Sequence, residues 1–203
     1  MLLLPLLLAG CGGLLSNAPE RQLYRINPSF AFPVGVRPLT AQLLIAAPTA
    51  PAGLDTKRIA LSHSPVTLDY YAGVEWTDRA PFLVQDALVE GFQKSGTVPK
   101  VAADRGGLRA DYVLDTAIDD FAASYDSPQG APLVRVALNA KLVRMPERVI
   151  VAHQAIHHEQ RAAANAMPEI VHAFDGALGG AVQDVVAWTV GNPALSARPG
   201  PAR

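Results

Sequence analysis

The chain has one cysteine, Cys11, so no intramolecular disulfide can staple it in any compartment. It is short of charge: 17 % of its 203 residues are Asp, Glu, Lys or Arg, and they nearly cancel to a net −1. That removes the basic footprint by which proteins hold nucleic acid or another polyanion. No apolar run reaches the ~20 residues of a bilayer-spanning helix, so nothing after the N-terminal block is expected to cross a membrane as a helix. Catalytic signatures are also missing. There is no G-x-S-x-G elbow, and Gly106-Gly107 lacks the G-x-x-x-x-G-K pattern of a phosphate cradle. Neither nucleotide nor any other cofactor is expected.

What is present is length and apolar content. The chain is long enough for one domain with its own core, and its 50 % apolar fraction sits at the upper edge of globular usage. Residues 1–10, MLLLPLLLAG, are too short to span a bilayer and read as a signal peptide. No basic residue precedes them, which points either to a start a few codons upstream or to a weak signal. Leu8-Ala9-Gly10-Cys11 resembles the lipobox of bacterial lipoproteins, which makes Cys11 the expected lipidation site, carrying diacylglyceryl and palmitate chains. A thiol suits that role as the strongest nucleophile among side chains. The bland alternative is a chance cysteine in a cleaved leader or a buried N-terminal segment; the apolar run, the small residues and a lone cysteine at this position together favour lipidation. At ~0.8 kcal/mol per buried CH₂, three acyl chains make a lasting anchor. Gly12 in place of Asp after the cysteine favours the outer membrane.

Residues 11–40 hold Gly12, Gly13, Pro19, Pro28, Pro33 and Pro38 with little periodicity and read as a lipid-anchored tether, with a short extended piece at Leu23–Ile26. The domain is expected over 41–192, followed by a disordered tail, 193–203. Residues 41–47 and 58–61 read as strands. Leu68 and Tyr70 alternate with Asp69 and Tyr71 in a third, which Gly73 is expected to break. Thr77 and Asp78 offer an N-cap, with Pro81 in the first turn of a helix. Its apolar face is Val84, Ala87, Leu88, Gly91 and Phe92, and Gly96 stops it. A brief strand at 98–102 follows, then three long ones near 112–125, 134–142 and 149–160, joined by short turns and therefore antiparallel. A last helix begins near Pro168 and ends before Gly191-Asn192-Pro193. Its Gly176, Gly179 and Gly180 each cost up to ~1 kcal/mol unless that side packs closely. The expected fold is α+β: a single domain with a predominantly antiparallel (mixed) sheet and two helices packed on one face.

Several groups of residues have the types that chemistry uses. His153 and His157 would lie ~13 Å apart on a strand, too far for one Zn²⁺ with ~2 Å bonds, and His157 and His158 would face opposite ways. They read as surface histidines, and no metal site is expected. Ser62 and His63 would also face opposite ways, which prevents a nucleophile–base pair. Asp119-Asp120 reads as charge at a strand end. The protein is not expected to be an enzyme. Tyr70, Tyr71 and Trp76 suit either a core or a half-wet surface for partner or lipid contact.

Tyr70-Tyr71, Trp76 and Pro81, preceded by Pro48, Gly53-Leu54 and Arg58-Ile59, carry a resemblance to the ABC-type transport auxiliary lipoprotein family, the PqiC-like group associated with MCE-type lipid transport. The resemblance covers roughly residues 24–190. It implies a non-catalytic docking or scaffold subunit on the periplasmic face of the outer membrane. The implied partners are an MCE-domain protein and an ABC permease/ATPase complex, with a homo-oligomer possible. A rival from a different class is an envelope lipoprotein that activates or scaffolds a cell-wall synthase. A second rival, a lipid-hydrolysing enzyme, would need Ser62 and His63 to act together.

Overall fold

The computed structural model describes residues 20–33, 38–106, 108–127 and 129–196. Strands β1 (Gln22–Tyr24), β2 (Gln42–Ile45), β3 (Arg58–Ser62) and β4 (Asp69–Trp76) precede helix α1 (Ala80–Ser95). Then come β5 (Lys100–Ala103), β6 (Tyr112–Ser124), β7 (Leu133–Arg144), β8 (Val149–Arg161), α2 (Met167–Gly191) and the short α3 (Pro193–Ser196). Alternation of side chains sets the long strands: Val134, Val136, Leu138, Ala140 and Leu142 of β7 are buried, while Arg135 and Lys141 are exposed. β6, β7 and β8 form an antiparallel meander.

β6 is the spine of the eight-stranded sheet. One edge carries β7 along its whole length. The other edge is shared by three short pieces in parallel: β2 opposite Tyr112–Leu114, a bridge from Thr49 to Ala117, and β3 opposite Ala123–Ser124. β5 extends the sheet beyond β2, while β4 and β1 extend it beyond β3. The sheet is therefore mixed and, by length of pairing, mostly antiparallel. This is the α+β class expected from the pattern of elements.

α1 and α2 cover one face and pack on each other. Pro81 occupies the first turn of α1, where a missing N–H costs nothing, and Gly96 closes it in the left-handed conformation at φ 64°. The cap differs from expectation. Arg79 is the N-cap residue and its side chain makes no capping bond; Asp78 only accepts from the Arg79 N–H at 2.7 Å. The glycines of α2 do mark close approach. A Cβ on Gly180 would run into the His158 ring, one on Gly176 would press the Gln160 side chain, and one on Gly179 would stand 2.9 Å from the Ser29 carbonyl oxygen.

Four further local expectations are corrected. Gly73 does not end its strand: β4 continues to Trp76, with Gly73 at φ 72° inside a register shift against β3. Asp119-Asp120 does not end a strand either, but sits at a bulge in the middle of β6. The segment expected to be free tether is laid on the domain from Gln22 to Phe32. β1 pairs with β4, the Asn27 N–H donates to Asp175 Oδ1 at 2.7 Å, the Ala31 N–H donates to Gln183 Oε1 at 3.2 Å, and Phe30 and Phe32 pack on the core. The reason is burial: this stretch carries four large apolar groups, Tyr24, Ile26, Phe30 and Phe32, which have a helix layer to cover. Residues 193–196 are likewise docked, with Leu195 buried and the Tyr112 hydroxyl donating to the Ala194 carbonyl at 2.6 Å. The signal peptide, Cys11 and residues 197–203 lie outside the described residues.

Candidate functional site

Tyr70, Tyr71 and Trp76 all lie on β4, but they do not make one patch. Trp76 is fully buried, edge-on to Phe174 at 5.1 Å between ring centres and tilted against Phe121 at 6.2 Å. It joins the sheet to α2 and has no surface to offer a partner. Tyr70 and Tyr71, as neighbours on a strand, turn to opposite faces. The Tyr70 hydroxyl donates to the Gly53 carbonyl at 2.9 Å, and its ring lies under the Arg58 guanidinium, 3.5 Å from the ring centre. The Tyr71 hydroxyl pairs with that of Tyr125 at 2.8 Å, and Tyr125 donates onward to Asn165 Oδ1 at 2.8 Å. Burial first, then the Tyr125 hydrogen bond, pushes the Tyr71 hydroxyl well above the ordinary phenol range. These two rings are half-buried fasteners between β4, β6 and the β8–α2 connection.

An open cleft of about 680 Å³ lies beside the loop joining β3 to β4. Pro51, Leu54, Val66 and Leu68 supply its apolar wall, and Asp119, Asp120 and Arg135 its polar floor. The loop braces itself. The Ser62 hydroxyl donates to the Ser64 carbonyl at 2.5 Å, the Thr67 N–H donates to the same carbonyl at 3.2 Å, and the Ser64 and Thr67 hydroxyls meet at 3.0 Å. His63 is tilted against Tyr125 with 5.0 Å between ring centres. Ser62 and His63 are thus each engaged elsewhere, and no serine–histidine pair forms. Asp119 accepts from the Asn139 amide, and Arg135 is bound to Glu159 at 2.8 Å.

Asp120 is the one chemically distinctive group in the cleft. Burial raises its pKa above the usual carboxylate range, while Arg135 and a backbone bond at Phe121 pull the other way. A raised folded-state pKa means that the native state binds this proton more tightly than the unfolded chain does. Stability from this residue is therefore lost as pH rises from the unfolded value of about 3.9 through the raised native one. Asp120→Asn is expected to increase stability at pH 7 and to change it little at pH 4. Urea midpoints at the two pH values test this, and an equal change at both would contradict it.

The histidines divide as the strand pattern expects. His153 and His157 are exposed on the helix-free face, opposite Lys141 and Ala137 of β7. His158 turns to the helix face, where Nε2 meets Asp184 Oδ2 at 2.7 Å under Gly180. Asp184, 26 residues away, could not be paired with it from sequence. Among the described residues no group of three metal-binding side chains comes together, and no helix is long and apolar enough to cross a membrane.

Comparison with known proteins then decides the family. The family described as ABC-type transport auxiliary lipoprotein component matches residues 26–186. The chain belongs to that family. Among solved structures, this auxiliary lipoprotein is similar to a Xanthomonas campestris protein of the DUF330 family. They share 27 % identity, the match covers 83 % of this chain and 94 % of that one, and the TM-score is 0.77. It also shares its fold with an uncharacterized protein at 13 % identity, covering 84 % of this chain and 99 % of that one, with a TM-score of 0.66. No curated protein matches the chain. The family match begins at Ile26, inside the docked segment, so most of that segment belongs to the domain of this auxiliary lipoprotein. Sequence reading missed this because an irregular strap has no period to detect.

Proposed function

We propose that this protein is a non-catalytic docking or scaffold subunit of an ABC-driven, MCE-type lipid transport system. Acyl chains on Cys11 would hold it at the periplasmic face of the outer membrane. The observation that carries this reading is the family match over residues 26–186, which spans all but β1 and the last turns of the domain. The chemistry agrees with a scaffold. Among the described residues around the cleft, Ser62, Asp119 and Arg135 are held by loop and strand bonds, His63 lies against Tyr125, and Ser62 and His63 do not pair. A scaffold needs a rigid domain, an anchor and surfaces; a P-loop and its ATPase belong to another subunit.

The test is affinity recovery of the full-length lipoprotein from detergent-extracted membranes, with mass spectrometry of the accompanying proteins and a Cys11→Ser control. Recovery of an MCE-domain protein or a permease, reduced or relocated in the control, is the expected result. Recovery of a cell-wall synthase instead would replace the transport role with the envelope-scaffold one.

A further inference from the structure

The direction in which the N-terminal segment reaches the domain determines which end of the domain lies nearest the membrane. β3 runs parallel to β6, so the β3–β4 loop stands at the end of the sheet where β6 finishes. β4 starts at that end and runs back from it, and β1 lies parallel to β4 with Gln22 opposite Val74. The N-terminal end of β1 therefore points toward the β3–β4 loop end.

The lengths agree with this. Ten residues separate Cys11 from Gln22. They reach roughly 36–40 Å at full extension. From the level of Val74 to the rim at Asp69 is five residues, roughly 17 Å of strand. A comparable length is left over to meet a bilayer. The other end of the sheet, at Tyr112, lies about eight residues of β6 from the Arg58–Glu75 level, roughly 26 Å in the opposite direction. The chain would have to double back to reach it.

The near end carries a suitable surface. Val66, at the tip of the β3–β4 loop, is 92 % exposed, and Leu68 is 43 % exposed. No Asp, Glu, Lys or Arg occurs between Ser62 and Leu68. The Val66 and Leu68 side chains both stand at the mouth of the cleft, and the serine and threonine bonds brace the loop that carries them. The far end also exposes apolar groups, Leu108 and Ile150, but carries Arg105, Arg109, Arg144, Glu147 and Arg148 in the same connections. The charges near the β3–β4 loop, Asp119, Asp120, Asp126 and Arg135, instead line the cleft beside it, and none lies in the loop itself. Presenting two apolar side chains to water on a braced, uncharged loop is useful where a lipid surface covers them.

We infer that the β3–β4 loop is a second membrane contact, in which Val66 and Leu68 touch the lipid surface that holds the acylated Cys11. The inference rests on the anchor proposed above. One anchor alone leaves the domain free to tumble. Two contacts set its axis, with the β3–β4 loop down and the β5–β6 and β7–β8 connections facing away from the membrane toward a partner.

The test uses the full-length acylated protein in vesicles of phosphatidylethanolamine and phosphatidylglycerol. Once Cys11 is a thioether, Val66→Cys supplies a single reactive thiol for an environment-sensitive fluorophore, and Leu108→Cys supplies the far-end control. Val66 makes none of the bonds that brace the loop, so the variant is expected to keep the wild-type thermal transition. The label at position 66 should shift to the blue and be quenched by nitroxides carried on lipid acyl chains, and the label at 108 should do neither. Protein that floats with the vesicles while both labels stay unquenched, or are quenched alike, overturns the loop contact and leaves the anchor standing. Protein that fails to float overturns the anchor and the loop contact with it.

Discussion

Replacing Trp76 by alanine is expected to lower the free energy of unfolding by about 3–5 kcal/mol, the range for a fully buried aromatic cut back to a methyl. The size follows from where the ring sits. Trp76, Phe121 and Phe174 come from β4, β6 and α2 and meet with ring centres between 5.0 and 6.2 Å apart. The three residues are essentially excluded from solvent. Removing the indole leaves a cavity lined by two aromatic rings that the sheet and helix hold apart, so it cannot collapse. Against a total stability on the order of 5–15 kcal/mol, this is a large share. Trp76→Phe should cost less, because part of the volume stays filled. Chemical denaturation of the purified domain would measure both. A Trp76→Ala variant within about 1 kcal/mol of wild type would show that this cluster is not a packing centre.

The second large effect is expected where the helices cross. A Cβ placed on Gly91 of α1 would overlap Val182 Cγ1 of α2. Alanine is the better helix former by about 1 kcal/mol, so propensity alone would make Gly91→Ala stabilising. Overpacking a tight contact costs about 1–3 kcal/mol, and here the obstacle is a β-branched side chain with little freedom to turn aside. Sterics should win, giving a net loss of up to about 2 kcal/mol. Val182→Ala removes the obstacle at a cost of about 1.6 kcal/mol for two buried methylene equivalents. The double variant should then be more stable than the sum of the two losses by about 1 kcal/mol or more. Strict additivity in this cycle would mean that the helices accommodate the methyl by some other movement.

Periodicity revealed most of the elements and hid most of the connections between them. α1, α2 and the β6–β7–β8 meander could be read because each repeats its apolar residues for ten positions or more. The short parallel strands could be seen as segments, but not as neighbours. β2 lies beside both β5 and β6, and β3 beside β6, because of burial against distant residues. No local signal encodes such pairing. β1, at three residues, was too short to register as more than an extended piece. The bulges at Gly73 and at Asp119-Asp120 looked like strand ends because a glycine or a pair of carboxylates is the usual mark of one. For the aromatics, residue type alone fitted core and surface equally. Only the third dimension separates Trp76, sealed between two phenylalanines, from Tyr70 and Tyr71 with their hydroxyls tied to the domain.

The parallel placement of β1 on β4 has a mechanical consequence. Tension on the N-terminal segment, directed toward the end where β4 begins, runs along the axis of β1. Its hydrogen bonds to β4 lie across that line, so the three residue pairs Gln22–Val74, Leu23–Glu75 and Tyr24–Trp76 share the load at once. Had the strand been antiparallel, the same pull would have peeled its bonds one after another. Behind this clasp, the bonds from Asn27 to Asp175 and from Ala31 to Gln183 secure the chain to α2 before any force reaches the interior. A pull on the leading end is thus met in shear by this pairing before it reaches the packed layers.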